Sequence, residues 1–321
     1  MSTASVSLVV NGKAAGRLKP DVVARIEAAV QELGYRPALR AQELALGTVS
    51  TVGIIVPDIG NPYFGLLLAG MAEALGVKHP LTVTIPPAGR EYGLNEVRQA
   101  MLADLGALVL TSPSLDVVAA LQPEDNVVLL DAPGAPPHWR SVVWDMQAAC
   151  RDMADHLAGQ GHSKIAYLGL EHGPQAATLK HRRELVETEL RRVGASVVED
   201  LTIVEASAIE ALSVVRERIE ASLARGVTAL VVEDDWYALG VLNALESLGI
   251  EVPRRLAVVA FNDGPVSTVS SPSLSSVSLD ARQLGRLAGE MASDVVRGAE
   301  RSPRRQVLAS RFVERASTRT T

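Results

Sequence analysis

Apolar runs that are long enough for buried strands alternate with helical patterns along most of this chain. Apolar runs without a polar face are typical of parallel strands that are covered on both sides of a sheet. The alternation therefore predicts an α/β fold of two doubly wound parallel-sheet lobes. The candidate strands are residues 52–56, 81–85, 107–111, 127–131, 141–144, 164–170, 197–204, 229–233, 256–261 and 306–312. The candidate helices between them are residues 63–75, 95–105, 147–159, 177–193, 209–224, 236–248 and 281–297.

Three parts are predicted along the chain. A small all-α part precedes the two lobes and covers residues 1–47. The first lobe is expected at residues 48–145 plus about 276–302. The second lobe is expected at residues 146–275 plus about 303–321. The chain would therefore cross between the lobes three times.

The helical part has a pattern and a charge of its own. Pro20 suits the first turn of a helix and Gly34 suits its end. Such a helix would bury one stripe, made of Val22, Ile26, Ala29, Val30 and Leu33. Residues 1–47 carry six bases and four acids, whereas the whole chain has a net charge of −6. A basic head on an acidic body favours an anionic partner at one end, with a solvated helix face as the alternative.

Several classes of protein lack support in the sequence. The single cysteine, Cys150, excludes an internal disulfide framework and a cysteine-based zinc site. The sequence contains no phosphate-binding loop, no dinucleotide fingerprint and no nucleophile elbow, so neither an enzyme nor a cofactor is predicted. It also contains no apolar stretch of transmembrane length and no secretory signal. The cytoplasm is the expected compartment.

Seven strings carry motifs in a fixed order. They are SVSLVVNG at 5–12, RIEAAVQELGYRPALRAQELALG at 25–47, VGIIVPDIGNPYF at 52–64, DMADHLAGQGHSKIAYLG at 152–169, DDWYALGVLNALESLGIEVPRRLAVVAFND at 234–263, SPSLSSV at 271–277 and FVERAST at 312–318. Their order and spacing resemble the lactose-repressor/galactose-repressor family of bacterial transcription regulators. The resemblance implies a helix-turn-helix headpiece with a hinge helix, followed by a periplasmic-binding-protein-like core of two lobes.

The resemblance implies a DNA-binding surface in the headpiece. A helix-turn-helix lays its second helix in the major groove, and a hinge leucine of this family wedges into the minor groove. The implied contacts are Thr3, Ala4 and Leu8 with bases, Ser7 and Asn11 with phosphates, and Leu44 with the minor groove. From the residues alone, a short packing helix and a core-facing Leu44 are the alternatives.

The resemblance also implies an effector site between the lobes, where loops at the carboxyl ends of strands meet. The implied residues are Tyr63, Phe64, Asp145, Arg182, Asp235, Trp236 and Asn262. We expect Arg182, Asp235 and Asn262 to converge in one interlobe pocket with aromatic walls. The alternatives are a solvated Arg182, a Trp236 that only packs, and an Asp235 that caps the next helix.

Four positions depart from the family pattern. Leu8 replaces an arginine and offers no hydrogen bond to guanine. Asn262 is neutral where a carboxylate is usual, and Leu185 replaces a glycine. Met1 aligns with a family valine, so the first helix of the helix-turn-helix is expected to be missing, either by a misassigned start or by truncation. The chain as given is therefore expected to bind operator DNA poorly.

The sequence thus predicts a cytoplasmic, homodimeric transcription regulator, a repressor, that binds operator DNA. A small effector, with sugars as the candidate class, would shift the balance between DNA-binding and non-binding states. The alternative is a soluble ligand-binding protein of the periplasmic-binding type that does not bind DNA, because the same two-lobed fold serves both functions.

Overall fold

The computed structural model describes residues 3–10, 14, 16–32, 51–86, 92–103, 105–122, 125–170, 177–203, 208–299 and 304–319. The chain forms two compact units, Met1–Ser50 and Thr51–Thr321. Within these described ranges, no helix combines the length and the apolar character that a membrane span requires.

The first unit contains two described helices that contact each other, α1 (Thr3–Val10) and α2 (Pro20–Glu32). α2 begins at the predicted proline, which loses no helical hydrogen bond at that position. The predicted stripe is buried at Ile26 and half-buried at Val22, Ala29 and Val30, while Leu33 lies outside the described residues. The apolar pattern therefore identified the helix face that packs.

The second unit holds two lobes, each built on a six-stranded sheet. In lobe 1 the strand order is β11-β5-β4-β3-β1-β2 and every pairing is parallel. Its strands are β1 (Val52–Ile55), β2 (Leu81–Thr84), β3 (Ala107–Thr111), β4 (Val127–Leu130), β5 (Arg140–Asp145) and β11 (Arg305–Ala309). Its helices are α3 (Pro62–Leu75), α4 (Leu94–Met101), α5 (Leu115–Ala120) and α11 (Ala281–Val296).

In lobe 2 the strand order is β12-β10-β9-β8-β6-β7. All pairings are parallel except the one between β10 and β12, at the sheet edge. Its strands are β6 (Lys164–Leu170), β7 (Ser196–Ile203), β8 (Ala229–Val232), β9 (Ala257–Asn262), β10 (Ser275–Ser278) and β12 (Arg311–Val313). Its helices are α6 (Gln147–Gly159), α7 (Ala177–Arg192), α8 (Ala208–Ala224), α9 (Asp235–Ser247) and α10 (Pro265–Val269).

Both sheets bury their two faces. In β1, Ile54 and Ile55 are fully buried but belong to separate apolar clusters, because successive side chains of a strand point to opposite faces. In β6, Tyr167 and Leu168 divide in the same way. The predicted doubly wound α/β class is therefore confirmed.

Strand pairing places two of the three crossings between the lobes later in the chain than the sequence predicted. β10 still pairs within lobe 2, so the chain leaves that lobe after Ser278 rather than near residue 275. β11 pairs within lobe 1, so the return to lobe 2 occurs at Ser310 rather than near residue 302. The backbone N–H and the hydroxyl of Ser310 both donate to the carbonyl oxygen of Asp145, at 3.1 and 2.9 Å. This contact places the last crossing beside the first.

Glycines allow α3 and α11 to pack with their backbones in close approach. A Cβ added to Gly285 would lie 1.9 Å from the carbonyl oxygen of Leu67. A Cβ added to Gly70 would lie 2.0 Å from the carbonyl oxygen of Arg282. Since neither contact involves a flexible side chain, a larger residue would force the two helices apart.

We expect Gly285→Ala to lower the free energy of unfolding by about 1–3 kcal/mol, the usual cost of overpacking. Urea denaturation measures this change. The control is Gly65→Ala in α3, because a Cβ there meets no atom within 4 Å and alanine raises helix propensity by up to about 1 kcal/mol. Equal stability of Gly285→Ala and the parent protein would contradict the close helix contact.

Candidate interlobe effector site

Polar residues follow the carboxyl ends of several strands where the two lobes meet. Asp131 follows β4. Asn262 is the last residue of β9, and Asp263 follows it. These three residues have φ values of 50°, 86° and 58°. Asn and Asp tolerate this left-handed region better than other residues with a side chain. The strand ends therefore turn sharply and bring polar groups to the interlobe cleft.

The buried carboxylate of Asp234 connects the two lobes. Its Oδ1 accepts a hydrogen bond from the backbone N–H of Trp236 at 2.8 Å, which makes Asp234 the N-cap of α9. Its Oδ2 accepts from Nδ2 of Asn262 and from Nδ2 of Asn61, both at 2.8 Å. Asn61 belongs to lobe 1, where its own Oδ1 caps α3 by accepting from the N–H of Tyr63 at 3.0 Å.

Arg182 is buried, with 5% of its surface exposed. Its Nη1 donates to the carbonyl oxygen of Glu233 at 2.8 Å, and its guanidinium carbon lies 4.8 Å from the ring centroid of Phe261. Burial opposes its charge, but Asp131 and Glu233 hold the pKa of Arg182 above its ordinary value. Its Nε has no hydrogen-bond partner among the described residues. The alternative of a solvated helix arginine is therefore wrong.

Asp131 supplies the acidic side of the site in lobe 1. Burial raises the pKa of Asp131, and the nearby charge of Arg182 opposes that rise. The backbone carbonyl of Asp131 accepts a hydrogen bond from the hydroxyl of Thr178 in α7, a second bond between the lobes. Burial, together with the charge of Asp131, raises the pKa of Tyr63, so its phenol stays protonated.

A cavity of about 160 Å³ lies between the lobes and beside this network. Tyr63, Asp235 and Asn262 line it together, as expected for an interlobe pocket. Arg182 does not line this cavity but lies over the ring of the residue before Asn262. Of the three residues expected to converge, Asp235 and Asn262 share this cavity, with Tyr63 as an aromatic wall, whereas Arg182 lies in the adjoining buried network.

Asp235 has its own partners within lobe 2. Its Oδ2 accepts from the N–H of Gly264 at 2.6 Å and from the hydroxyl of Ser267 at 3.0 Å. Burial, with the charge of Asp234 as the second cause, raises the pKa of Asp235 to about 7. The suggestion that Asp235 caps the helix is wrong by one residue, since the cap is Asp234.

The remaining predicted effector residues lie at the margins of this network. The ring of Phe64 packs edge-on against Tyr63 with centroids 5.4 Å apart, and Trp236 is half-buried against the core of lobe 2. Asp145 is exposed at the first crossing, where its Oδ1 accepts from the N–H of Gln147 at 3.1 Å. The structure does not bring Asp145 into the buried network. Among the described residues, no cluster of His, Cys, Asp and Glu is arranged to hold a metal ion.

The residues implied to contact DNA are described only in part. Thr3, Ala4, Ser7 and Leu8 all lie on α1, and Leu8 is half-buried. Asn11 and Leu44 lie outside the described residues.

Sequence reasoning missed two residues of the network, Asn61 and Asp131, and it left Asp234 out of the effector site. A signal existed for Asn61, because asparagine before proline is a common helix start. A weaker signal existed for Asp131 and Asp234, since each follows an apolar strand at its carboxyl end. Their pairing across the cleft depends on the fold.

Asp235 predicts a pH dependence of stability. Between its ordinary pKa of 3.8 and its folded value of about 7, the folded protein holds a proton that the unfolded chain has lost. The free energy of unfolding therefore falls as pH rises through this window and levels off above it. We expect Asp235→Asn to reduce this fall, measured by urea denaturation at several pH values between about 5 and 8.

The exposed Asp145→Asn is the control for the loss of one negative charge, and it should keep the parent slope. An unchanged slope in Asp235→Asn would show that the titration of this carboxyl does not affect folding.

Comparisons with known proteins agree with the two-lobed fold. The family model described as "Periplasmic binding protein-like domain" matches residues 154–318. Catabolite control protein A of Priestia megaterium is 29% identical over 301 residues, covering 90% of this chain and 87% of that protein. The HTH-type transcriptional regulator MalR of Streptomyces coelicolor is 27% identical over 339 residues, covering 99% of this chain and 93% of that protein.

A solved structure shows the same fold. The lac repressor dimer bound to operator and the anti-inducer ONPF superposes with a TM-score of 0.79 at 23% identity, covering 99% of this chain and 96% of that chain. With the two lobes, their crossings and the matched family model in place, this chain belongs to the periplasmic binding protein-like family and, within it, to the lactose-repressor/galactose-repressor group of transcription regulators.

Proposed function

We propose that this protein is a cytoplasmic, DNA-binding transcription regulator, a repressor, whose operator affinity is controlled by a small polar effector bound between the lobes. The single observation that carries the proposal is the buried polar network that spans both lobes at the carboxyl ends of their strands. Relatives over almost the whole length carry regulator names, and one solved neighbour is bound to operator. These similarities support a regulator rather than an enzyme.

The network suits a hydroxyl-rich ligand such as a sugar. Asp131 offers a carboxylate that can accept from hydroxyl donors. Nε of Arg182 is a buried donor with no hydrogen-bond partner among the described residues. An unpaired buried donor costs about 1–3 kcal/mol, so a ligand oxygen that accepts from it gains affinity.

Effector control follows from the position of this network. A ligand that binds one arrangement of the lobes more tightly shifts the population toward that arrangement. The effect of the effector on DNA affinity cannot exceed the difference between its affinities for the two states. Asn61 and Asp234 bond to each other across the lobes, so their contacts change when the lobes rearrange. Such contacts generate the difference in effector affinity between the two states.

The proposal includes a homodimer. One helix-turn-helix reads a single half-site, so two copies related by symmetry read a two-fold operator. A hinge helix as short as one or two turns is unstable alone in water and gains from a symmetry-related partner.

The purified protein can be used to select DNA from a pool of random sequences. We expect the logarithm of its association constant for the selected DNA to fall linearly with the logarithm of the salt concentration, which is the signature of phosphate contacts. Leu44→Ala should weaken this binding by about tenfold or more, since the wedge would be lost. Fluorescence anisotropy measures both effects. Leu102→Ala, an exposed leucine of lobe 1, is the control and should bind like the parent.

Two outcomes would change this account. Equal binding by Leu44→Ala and the control would remove Leu44 from the DNA surface. If no DNA is selected although a sugar binds, the alternative of a ligand-binding protein without DNA binding would be favoured.

A further inference from the structure

A C-terminal strap of lobe 2, made of residues 311–318, contacts the corner at which β9 ends. The strap begins with β12, which pairs with β10. Nη1 of Arg315, in this strap, lies 2.6 Å from Oδ1 of Asp263 and donates to the carbonyl oxygen of Leu274 at 2.7 Å. Asp263 and Asn262 line the interlobe cavity, whereas Arg315 does not. The ion pair therefore joins the strap to the wall of the cavity.

The carboxylate of Asp263 depends on this ion pair. Its Oδ1 is buried and accepts no hydrogen bond from another described residue. The side chain of Asp263 is 8% exposed and that of Arg315 is 20% exposed, so solvent and salt screen the pair only weakly. A buried charge without a partner is very costly. Arg315 is thus what makes a carboxylate tolerable at this position.

The corner formed by Asn262 and Asp263 has a backbone conformation that needs support. The two residues have φ values of 86° and 58°. Residues with a side chain persist in this region where their surroundings hold them there. The N–H of Asp263 donates to the hydroxyl of Ser276 at 3.1 Å, and the carbonyl oxygen of Asn262 accepts from the N–H of Leu279 at 3.1 Å. The ion pair with Arg315 adds a charged contact to these backbone bonds.

This corner sets the direction of two donors at the start of α9. Nδ2 of Asn262 donates to Oδ2 of Asp234 at 2.8 Å. The N–H of Gly264 donates to Oδ2 of Asp235 at 2.6 Å. The two donors lie on either side of Asp263 in the chain, so a rotation of the backbone at Asp263 would withdraw one or both from their acceptors.

We propose that Arg315 is a positioning residue of the effector site, because its ion pair with Asp263 fixes the corner at which β9 ends. Arg315 acts through that corner and not by contact with a ligand. The description of the cavity as an effector site rests on the function proposed above, whereas the positioning of the corner does not.

The strap has other anchors, so Arg315 can be changed without releasing the chain. The hydroxyl of Ser317 donates to the carbonyl oxygen of Val258 at 2.6 Å. The N–H of Ser317 donates to the carbonyl oxygen of Ser273 at 2.9 Å. The N–H of Arg315 donates to the hydroxyl of Ser275 at 2.8 Å. All three bonds remain available when only the side chain of Arg315 is replaced.

The first experiment follows hydrogen exchange of backbone amides by NMR in the full-length protein. We expect Arg315→Gln to raise the exchange rate of the Gly264 amide by about tenfold or more, since the corner loses a charge-assisted contact. The amide of Leu230, in β8 at the centre of the sheet, is the internal reference because its exchange reports opening of the whole lobe. A purely structural role of Arg315 would raise both rates alike.

Arg319→Gln is the matched control for the loss of an arginine near the C-terminus. Arg319 pairs with Glu314 at the surface, where their side chains are 61% and 39% exposed. This variant should leave both exchange rates unchanged. A parent-like rate at Gly264 in Arg315→Gln, or equal acceleration at Gly264 and Leu230, would overturn the proposal.

The second experiment tests the same ion pair from its other side. Asp263→Asn keeps the arginine but removes the charge that it holds, and asparagine tolerates the left-handed region as aspartate does. We expect faster exchange at Gly264 and not at Leu230. Parent-like exchange at Gly264 in this variant would contradict the proposal even if Arg315→Gln does not fold.

The third experiment measures the binding of free hexoses and pentoses by calorimetry. A sugar that binds the parent protein should bind Arg315→Gln at least about tenfold more weakly and Arg319→Gln equally well. Equal affinity in Arg315→Gln would remove Arg315 from the effector site. Failure of the parent protein to bind any sugar counts against the proposed effector class alone, because exchange at Gly264 tests the positioning of the corner without a ligand.

Discussion

A carboxylate buried between two lobes is the interaction on which this structure depends. Taking a carboxyl group out of water is costly unless hydrogen bonds compensate for it, and burial raises the pKa of Asp234. Asp234 meets that requirement with donors from both lobes and with the N-terminus of α9. Separating the lobes would remove Asn61 and leave one side of the carboxylate to water. The relative position of the lobes and the state of this carboxylate are thus linked.

The remaining polar residues of the cleft follow from the same constraint. Arg182 is held between a lobe 1 carboxylate, Asp131, and the backbone of lobe 2 at Glu233. The crossings at Asp145 and Ser310 are bonded to each other and give the lobes a shared pivot. A ligand that completes the hydrogen bonds of Arg182 therefore acts on the contacts that decide how the lobes are arranged.

Much of the fold could be predicted from the sequence, because its strands are continuous apolar runs. β10 was missed, since Ser275 and Ser276 sit in a serine- and proline-rich stretch that resembles a loop. Both serines are fully buried, and they are satisfied by a hydrogen bond between the hydroxyls of Ser275 and Thr318 and by one from the hydroxyl of Ser276 to the carbonyl oxygen of Ala260. The single strand expected over residues 306–312 proved to be two strands in different lobes. Local patterns carry no information about such long-range pairing.

The site was predictable to a smaller extent. Family resemblance led to Tyr63, Asp235 and Asn262, which share a cavity, and to Arg182, which lies beside it. It did not indicate that Asn61 and Asp234 bond across the cleft, since 173 positions of the chain separate them. Whether two polar residues meet at that separation is decided by how the lobes pack.

The most direct test of this account is an interlobe distance measured by electron spin resonance in the absence of effector. Labels on Leu102→Cys in lobe 1 and Ile209→Cys in lobe 2 would react selectively, because both sites are exposed and Cys150 is buried. Asn61→Ser keeps a cap for α3 but shortens the side chain that reaches Asp234. We expect one narrow distance distribution in the parent protein and a longer, broader one in Asn61→Ser. Identical distributions would contradict the claim that this carboxylate holds the lobes together.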